Sequence, residues 1–235
     1  MTPQTRLLVH GASGRMGQAL LRLCAEGTEC RVSGSVARKV GQRVIDGIPR
    51  FAAIELHGVP TFDVAIDFSL PEGFDAVLAL CVERRAGLVS GTTGLSEAQQ
   101  LALQSASRVI PVLWAANFSL GVAVMSELVE RAAAALPGWD CDIVEAHHAK
   151  KKDAPSGTAL SLGASAEQGG ARPRYASLRA GDIVGEHTVQ FATLGERLEL
   201  VHRAGNRDIF ARGALHAAAR LNGRAPGAYR LRDLL

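Results

Sequence analysis

The sequence predicts an α/β fold: a doubly wound parallel sheet, followed by a second, smaller α+β domain. Three observations carry this. The chain opens with a short apolar run over 6–10, then GASGRMG, then apolar positions at helical spacing over 16–24. Short apolar runs alternate with helical patterns from there to about residue 118. Beyond residue 184, apolar and polar residues alternate on both sides of Gly195-Glu196, the pattern of an antiparallel hairpin.

Taken in order, residues 6–10 form a strand, and Gly11, Gly14 and Gly17 punctuate the turn into a helix. Strand, glycine-rich turn and helix open a dinucleotide-binding unit. Gly11 allows the tight turn, Gly14 lets backbone approach a pyrophosphate, and Gly17 lets helix pack on strand. The spacing is G-x-x-G-x-x-G rather than G-x-G-x-x-G, and it marks Gly11, Ala12, Ser13, Gly14, Arg15 and Met16 as the cradle. Residues 30–36 form the second strand, whose end reads an adenosine ribose in such folds. An acidic residue would bind the 2′-hydroxyl there; this chain has Ala37-Arg38-Lys39. Residues 41–60 show no period and are expected to be irregular, with room for one short strand. A buried-type strand follows at 63–69, then a helix from Pro71 to about 86, a strand at 87–90, a helix capped by Ser96, and a strand at 109–114. Ligands lie at the carboxyl ends of parallel strands. Arg38, Ser69, the turn Gly91, Thr92, Thr93 and the turn Ala115, Ala116, Asn117, Phe118 therefore share one edge with the first glycine turn.

A long helix over 120–136 ends at Pro137-Gly138, and the densest chemistry follows: EAHHAKKKDAPSGTAL, 145–160. A strand over 141–145 leads in, and Asp153 to Thr158 reads as a helix start offering unpaired N–H groups to an anion. Lys150, Lys151 and Lys152 add positive charge. His147 and His148 point to opposite faces if the strand persists, so one of them faces a ligand. A lysine run alone is commonly a solvated loop, and paired histidines are sometimes metal ligands. The i, i+4 spacing of H-E-x-x-H is absent, however, so no metal is expected. A group titrating near pH 7, a lysine and an anion-binding helix end together describe a site where an acidic substrate exchanges a proton. The helix runs to about 167, a Gly/Pro-rich loop spans 168–173, and strands at 184–194 and 197–203 make the hairpin. Asp208 caps a last helix with Ala211, Ala214, Leu215, Ala218 and Leu221 on one face. The tail over 223–235 packs back on the first domain. Residues 1–118, completed by 208–235, are expected to be the dinucleotide-binding domain, and 119–207 the substrate-binding and oligomerisation domain, with the crossings near Ser119 and Arg207 acting as a hinge pair.

Net charge is +3 over 235 residues, too mild to imply nucleic-acid binding. Cys24, Cys30, Cys81 and Cys141 are scattered without C-x-x-C spacing, so reduced, buried thiols are expected. With neither a basic-then-apolar leader nor an apolar run of spanning length, the expected location is cytoplasmic, away from membranes.

The segment from Glu145 resembles the signature of the bacterial dihydrodipicolinate reductase family of lysine and diaminopimelate biosynthesis, E-x-H-H-x-x-K-x-D-A-P-S-G-T-A. His147, His148, Lys151, Asp153, Ser156, Gly157 and Thr158 all fall on it. GASGRMG, RAGDIVGEHT and GERLEL are also similar to that family, so the resemblance covers almost the whole chain. It implies hydride transfer from NADPH to a cyclic dicarboxylate, with His147 as acid/base, Lys151 as the second catalytic group, and His148, Lys151, Ser156, Gly157 and Thr158 holding substrate carboxylates. It also implies a homotetramer assembled through the second domain's sheet. Members that use both cofactors carry Glu-Arg where this chain has Ala37-Arg38, so NADPH is expected to be preferred and NADH used less well. One departure falls on the far wall of the substrate site and on part of the second sheet: only 163–178 is available where the family has a longer segment. Two alternatives remain. One is another NADP-linked dehydrogenase, although a semialdehyde dehydrogenase needs a nucleophilic cysteine in a Gly/Asn-rich turn, which is absent. The other is an NADPH-sensing regulator without chemistry, which an intact His-His-Lys segment disfavours.

Overall fold

The computed structural model describes residues 4–235. The chain divides into two compact units. One is the chain up to Phe118 together with Phe210–Leu235, and the other is Ser119–Ile209.

The first unit contains β1 (Thr5–His10), α1 (Arg15–Glu26), β2 (Cys30–Ala37), β3 (Val44–Ile45), β4 (Ile48–Ala52), β5 (Val64–Asp67), α2 (Pro71–Arg84), β6 (Gly87–Ser90), α3 (Glu97–Ala106) and β7 (Pro111–Trp114). The second contributes α4 (Leu120–Ala135), β8 (Asp140–His147), α5 (Gly157–Gln168), β9 (Pro173–Arg179), β10 (Gly185–Thr193) and β11 (Glu196–Ala204). The chain then passes through α6 (Asp208–Leu221) to β12 (Gly227–Tyr229) in the first unit.

The large sheet runs β12-β7-β6-β5-β1-β2-β4-β3, with every pairing parallel except β3–β4. Strands β5 and β6 are buried at every position, as expected where helices cover both faces of a parallel sheet. Leu8, Val36, Ala65, Phe74, Leu80, Leu88 and Val112 are part of its core. The chain winds outward from β1 to β2 on one side and to β5 on the other. That reversal of order opens a crevice beyond the carboxyl ends of β1 and β5. The tail joins the sheet as β12, parallel to β7.

The region 41–60 is more regular than its sequence indicates. It holds β3, β4 and a 3-10 turn (Ala53–Gly58), and β4 extends the main sheet alongside β2. All five β4 residues are half-buried, which leaves no apolar alternation to see.

In the second unit a four-stranded sheet runs β11-β10-β8-β9, with β8 and β9 parallel and the other pairs antiparallel. Met125 and Val129 of α4 and Ala159 and Leu162 of α5 pack with Ile143, Val189 and Phe191 on one face. The segment 163–178, where the sheet was expected to depart from the family pattern, supplies most of β9. This strand escaped the sequence because five of its seven residues are exposed. Tyr175 anchors it: the phenol lies where a Cβ on Gly163 of α5 would be, so the helix needs glycine there.

Helix starts are chemically closed in three cases. Ser96 and Gln99 form a reciprocal capping box on α3, and Ser119 and Ser156 accept the N–H groups of Val122 and Ala159 on α4 and α5.

Candidate active site

At the carboxyl edge of the large sheet, the β1 turn is held by its own backbone. The N–H groups of Gly11 and Ala12 both donate to the Val36 carbonyl, at 3.1 and 2.9 Å, and that of Gly14 donates to Gly11 O at 3.0 Å. Gly11 adopts φ +81°, and a Cβ there would strike the backbone of Phe68. A Cβ on Gly17 would strike Gly11 and Ala12, so this third glycine serves the contact of helix with turn. Of the predicted cradle, Gly11, Ala12 and Gly14 therefore spend their N–H groups on shaping the loop. Helix α1 starts at Gly14, which has no side chain to cap it. Its first-turn N–H groups, on Arg15, Met16 and Gly17, lack intrahelical acceptors. That is a fitting place for a diphosphate, with Ser13 and Arg15 exposed beside it.

The neighbouring turns are tied together by Asp67, fully buried at the end of β5. One carboxylate oxygen accepts from His10 Nδ1 at 2.8 Å and Ser69 N–H at 3.1 Å. The other accepts from Ser90 Oγ at 2.9 Å and Thr92 Oγ1 at 2.7 Å. Burial pushes this carboxyl up, and the bonds from His10, Ser69 and Thr92 outweigh it, so it sits below its ordinary value. Gly91 lies under the Phe68 ring with no room for a Cβ, and Phe68 meets Phe118 edge-on at 5.5 Å. Trp114 Nε1 donates to the Thr92 carbonyl at 2.8 Å. Thr92 and Phe118 are buried, whereas Thr93 and Ala116 are exposed and Ala115 and Asn117 half-buried. Ala37 closes β2 with its side chain buried, and Arg38 is exposed just beyond.

The second unit carries a buried cluster of ionisable side chains, and sheet register builds it. Strand β8 alternates strictly, so Cys141, Ile143, Glu145 and His147 share the buried face. Register places Ser177, Glu145, His187 and His202 side by side across four strands, and Arg179 beside His147 in the next row. Glu145 is 1% exposed and accepts four hydrogen bonds. Arg179 Nη2 (2.6 Å) and Ser156 N–H (3.2 Å) donate to Oε1; His147 Nδ1 (2.5 Å) and Arg179 Nη1 (2.9 Å) donate to Oε2. Burial opposes its charge, but Arg179, Ser177 and His147 hold the carboxyl down at about 2. His187 packs edge-on against His147 at 5.1 Å, and burial, with His147 adding to it, lowers His187 to about 4, so it is neutral at physiological pH.

Of the predicted substrate-binding residues, Gly157 and Thr158 form the first turn of α5, and His148 follows the end of β8, 3.5 Å from Arg207 Nη2. Lys151 Nζ is 2.8 Å from both Asp153 oxygens. Ser156 is also engaged within the protein. Its N–H serves Glu145, and its hydroxyl accepts from Ala159 N–H and meets His187 Nε2 at 3.1 Å, so it shapes the site from beneath. Sequence reasoning passed over Asp67, Glu145, Arg179 and His187. Two of these left a signal: an acid directly after an apolar run, Asp67 in VAID and Glu145 in IVE.

Family models described as "Dihydrodipicolinate reductase, N-terminus" and "Dihydrodipicolinate reductase, C-terminus" match residues 5–118 and 121–235. The chain is 73% identical over 232 residues to a 4-hydroxy-tetrahydrodipicolinate reductase of Stenotrophomonas maltophilia (strain R551-3), covering 98% of this chain and 97% of that one. It is 63% identical over 231 residues to a protein of the same name from Xylella fastidiosa (strain 9a5c), covering 98% of each. Its fold is similar to that of a dipicolinate-bound dihydrodipicolinate reductase from Paenisporosarcina sp. TG-14, with TM-score 0.85 and 21% identity over 99% of this chain and 100% of that one.

The neutral His187 has a consequence for stability. Its folded value lies near 4 and its ordinary value at 6.5, so the unfolded chain binds the extra proton first. Its contribution is complete above pH 6.5 and is lost as pH falls toward 4. Urea midpoints should drop across that window in the wild type, and His187→Asn should flatten the drop. Parallel pH profiles for the two proteins would show that another group dominates.

Proposed function

This chain belongs to the dihydrodipicolinate reductase family, and on that footing we propose that it reduces 4-hydroxy-tetrahydrodipicolinate, by way of dihydrodipicolinate, to tetrahydrodipicolinate in lysine and diaminopimelate biosynthesis, with NADPH preferred over NADH. One observation carries the reading: a buried histidine held by a carboxylate, in the unit that also presents a lysine and a helix N-terminus. The test is NADPH consumption when the purified protein receives the product mixture of the preceding synthase.

In the first unit, the N–H groups of Arg15, Met16 and Gly17 hold the diphosphate, with Ser13 and the turn backbone of Gly11, Ala12 and Gly14 lining it. Arg38 takes the 2′-phosphate. The turns Gly91, Thr92, Thr93 and Ala115, Ala116, Asn117, Phe118 line the remainder, Thr92 and Phe118 through backbone. The cofactor, when bound, supplies hydride. In the second unit, His147 protonates the carbon next to the one reduced. Lys151 steadies developing negative charge. Gly157 and Thr158, at the start of α5, take one substrate carboxylate, and His148 assists with the other. Ser156 holds that helix start in place. The chain works in the cytoplasm; among the described residues no helix is long and apolar enough to cross a membrane.

His147→Gln should lower kcat by about 10²-fold or more, the scale of losing a general acid, and leave the KM for NADPH nearly unchanged. Turnover within threefold of wild type would move the role to Lys151.

Cofactor choice rests on Arg38, because the buried Ala37 offers no acceptor to a ribose hydroxyl. Charge-assisted bonds to a phosphate worth about 2–3 kcal/mol correspond to roughly 30- to 150-fold in kcat/KM for NADPH over NADH. Arg38→Ala should erase most of that preference in steady-state assays with each cofactor. Equal kcat/KM values in the wild type would place the discrimination elsewhere.

Assembly follows from the outer face of the small sheet. Ala176, Val144, Thr188 and Val201 form one row across it, and Val144 and Val201 are exposed, as is Leu178 of β9. An apolar row on an otherwise uncovered sheet face is a surface for a second copy. Light scattering should give about four times the 24.7 kDa chain mass; a value near 24.7 kDa would reject the tetramer.

A further inference from the structure

We propose that Glu145, clamped by Arg179, is the positioning residue for His147, holding Nδ1 of the ring so that Nε2 alone exchanges a proton with the substrate. The proposal rests on the reading of His147 as proton donor and deepens it.

The geometry leaves little choice. Nδ1 of His147 is committed to Glu145 Oε2 at 2.5 Å. The carboxylate cannot turn away, because Arg179 grips both of its oxygens and Ser156 N–H holds one. The other side of the ring lies against Gly185 of β10, where a Cβ would be 3.1 Å from Nε2, so glycine there keeps that nitrogen from being crowded. When imidazolium gives up its Nε2 proton to the substrate carbon, the neutral ring keeps the Nδ1 proton, still donated to Glu145. Solvent then restores the Nε2 proton. An acceptor-only partner on Nδ1 thus fixes both the tautomer and the ring plane.

Arg179 does more than balance the charge. Its Nη2 also donates to the Asp153 carbonyl at 2.6 Å, and the Asp153 carboxylate holds Lys151. One half-buried guanidinium therefore links the carboxylate behind His147 to the loop carrying the second catalytic group.

A double-mutant cycle separates positioning from a structural role. Glu145→Gln should lower kcat by about 10²-fold, approaching His147→Gln, with the KM for NADPH unchanged. In the His147→Gln background the same change should cost nothing further. Arg179→Lys, which keeps the cation but loses the two-pronged grip, should give a smaller loss that also vanishes in that background. It carries the test if Glu145→Gln does not fold. Losses that multiply in the double variants would make Glu145 and Arg179 merely structural and overturn the proposal. So would Glu145→Gln turnover within threefold of wild type while His147→Gln is impaired. If His147→Gln itself is harmless, the reading of His147 as donor falls first and takes this proposal with it.

Discussion

A carboxylate inside a sheet must be saturated with donors or give up its charge, and each unit of this protein is arranged around one that is saturated. The cost of leaving such an ion unpaired is several kcal/mol. Asp67 and Glu145 each accept four hydrogen bonds, and each sits at or near the carboxyl end of an apolar strand. Meeting that demand recruits groups from separate loops. Asp67 gathers the ends of β1 and β6 and the turn after β5. Glu145 gathers β9, the end of β8 and the start of α5. The same demand that makes these acids costly therefore makes the surrounding turns rigid.

Close approach is the second constraint. Gly11 and Gly17 let the first turn sit against Phe68 and fold onto itself, and Gly91 lets the Phe68 ring lie over the next turn. Gly163 does the same for Tyr175 in the second unit. Glycine in a helix interior costs roughly 0.5–1 kcal/mol against alanine, and at Gly163 the space it leaves is taken by the Tyr175 phenol of β9.

Much of this was legible in the sequence, for identifiable reasons. The parallel sheet, and the edge where its small-residue turns gather, follow from apolar runs alternating with helical periods and from where those turns fall. The hairpin follows from strict alternation about Gly195. β4 and β9 did not show because neither buries one face and exposes the other; five of seven β9 residues are exposed, and β4 is half-buried throughout. The partners of His147 were harder. Period-two spacing from Glu145 to His147 was visible in EAHH, but Arg179 and His187 join them only through strand register. Ser156 sat on a recognisable motif, yet its N–H is committed to Glu145, a contact that a motif cannot express.

Helix starts show how a sequence divides its unpaired N–H groups between its own side chains and a ligand. α3 spends them internally, since Ser96 and Gln99 close the first turn from both sides. α1 spends none on a side chain, because its N-cap is glycine, which leaves its first-turn donors to partners from outside the helix. α5 lies between these extremes. Ser156 closes the N–H of Ala159 while its own N–H turns back to Glu145, which binds the helix start to the carboxylate behind His147. An anion held by the first turn of α5 is consequently placed by the same carboxylate that places the histidine ring. One carboxylate therefore ties the His147 ring to the start of α5.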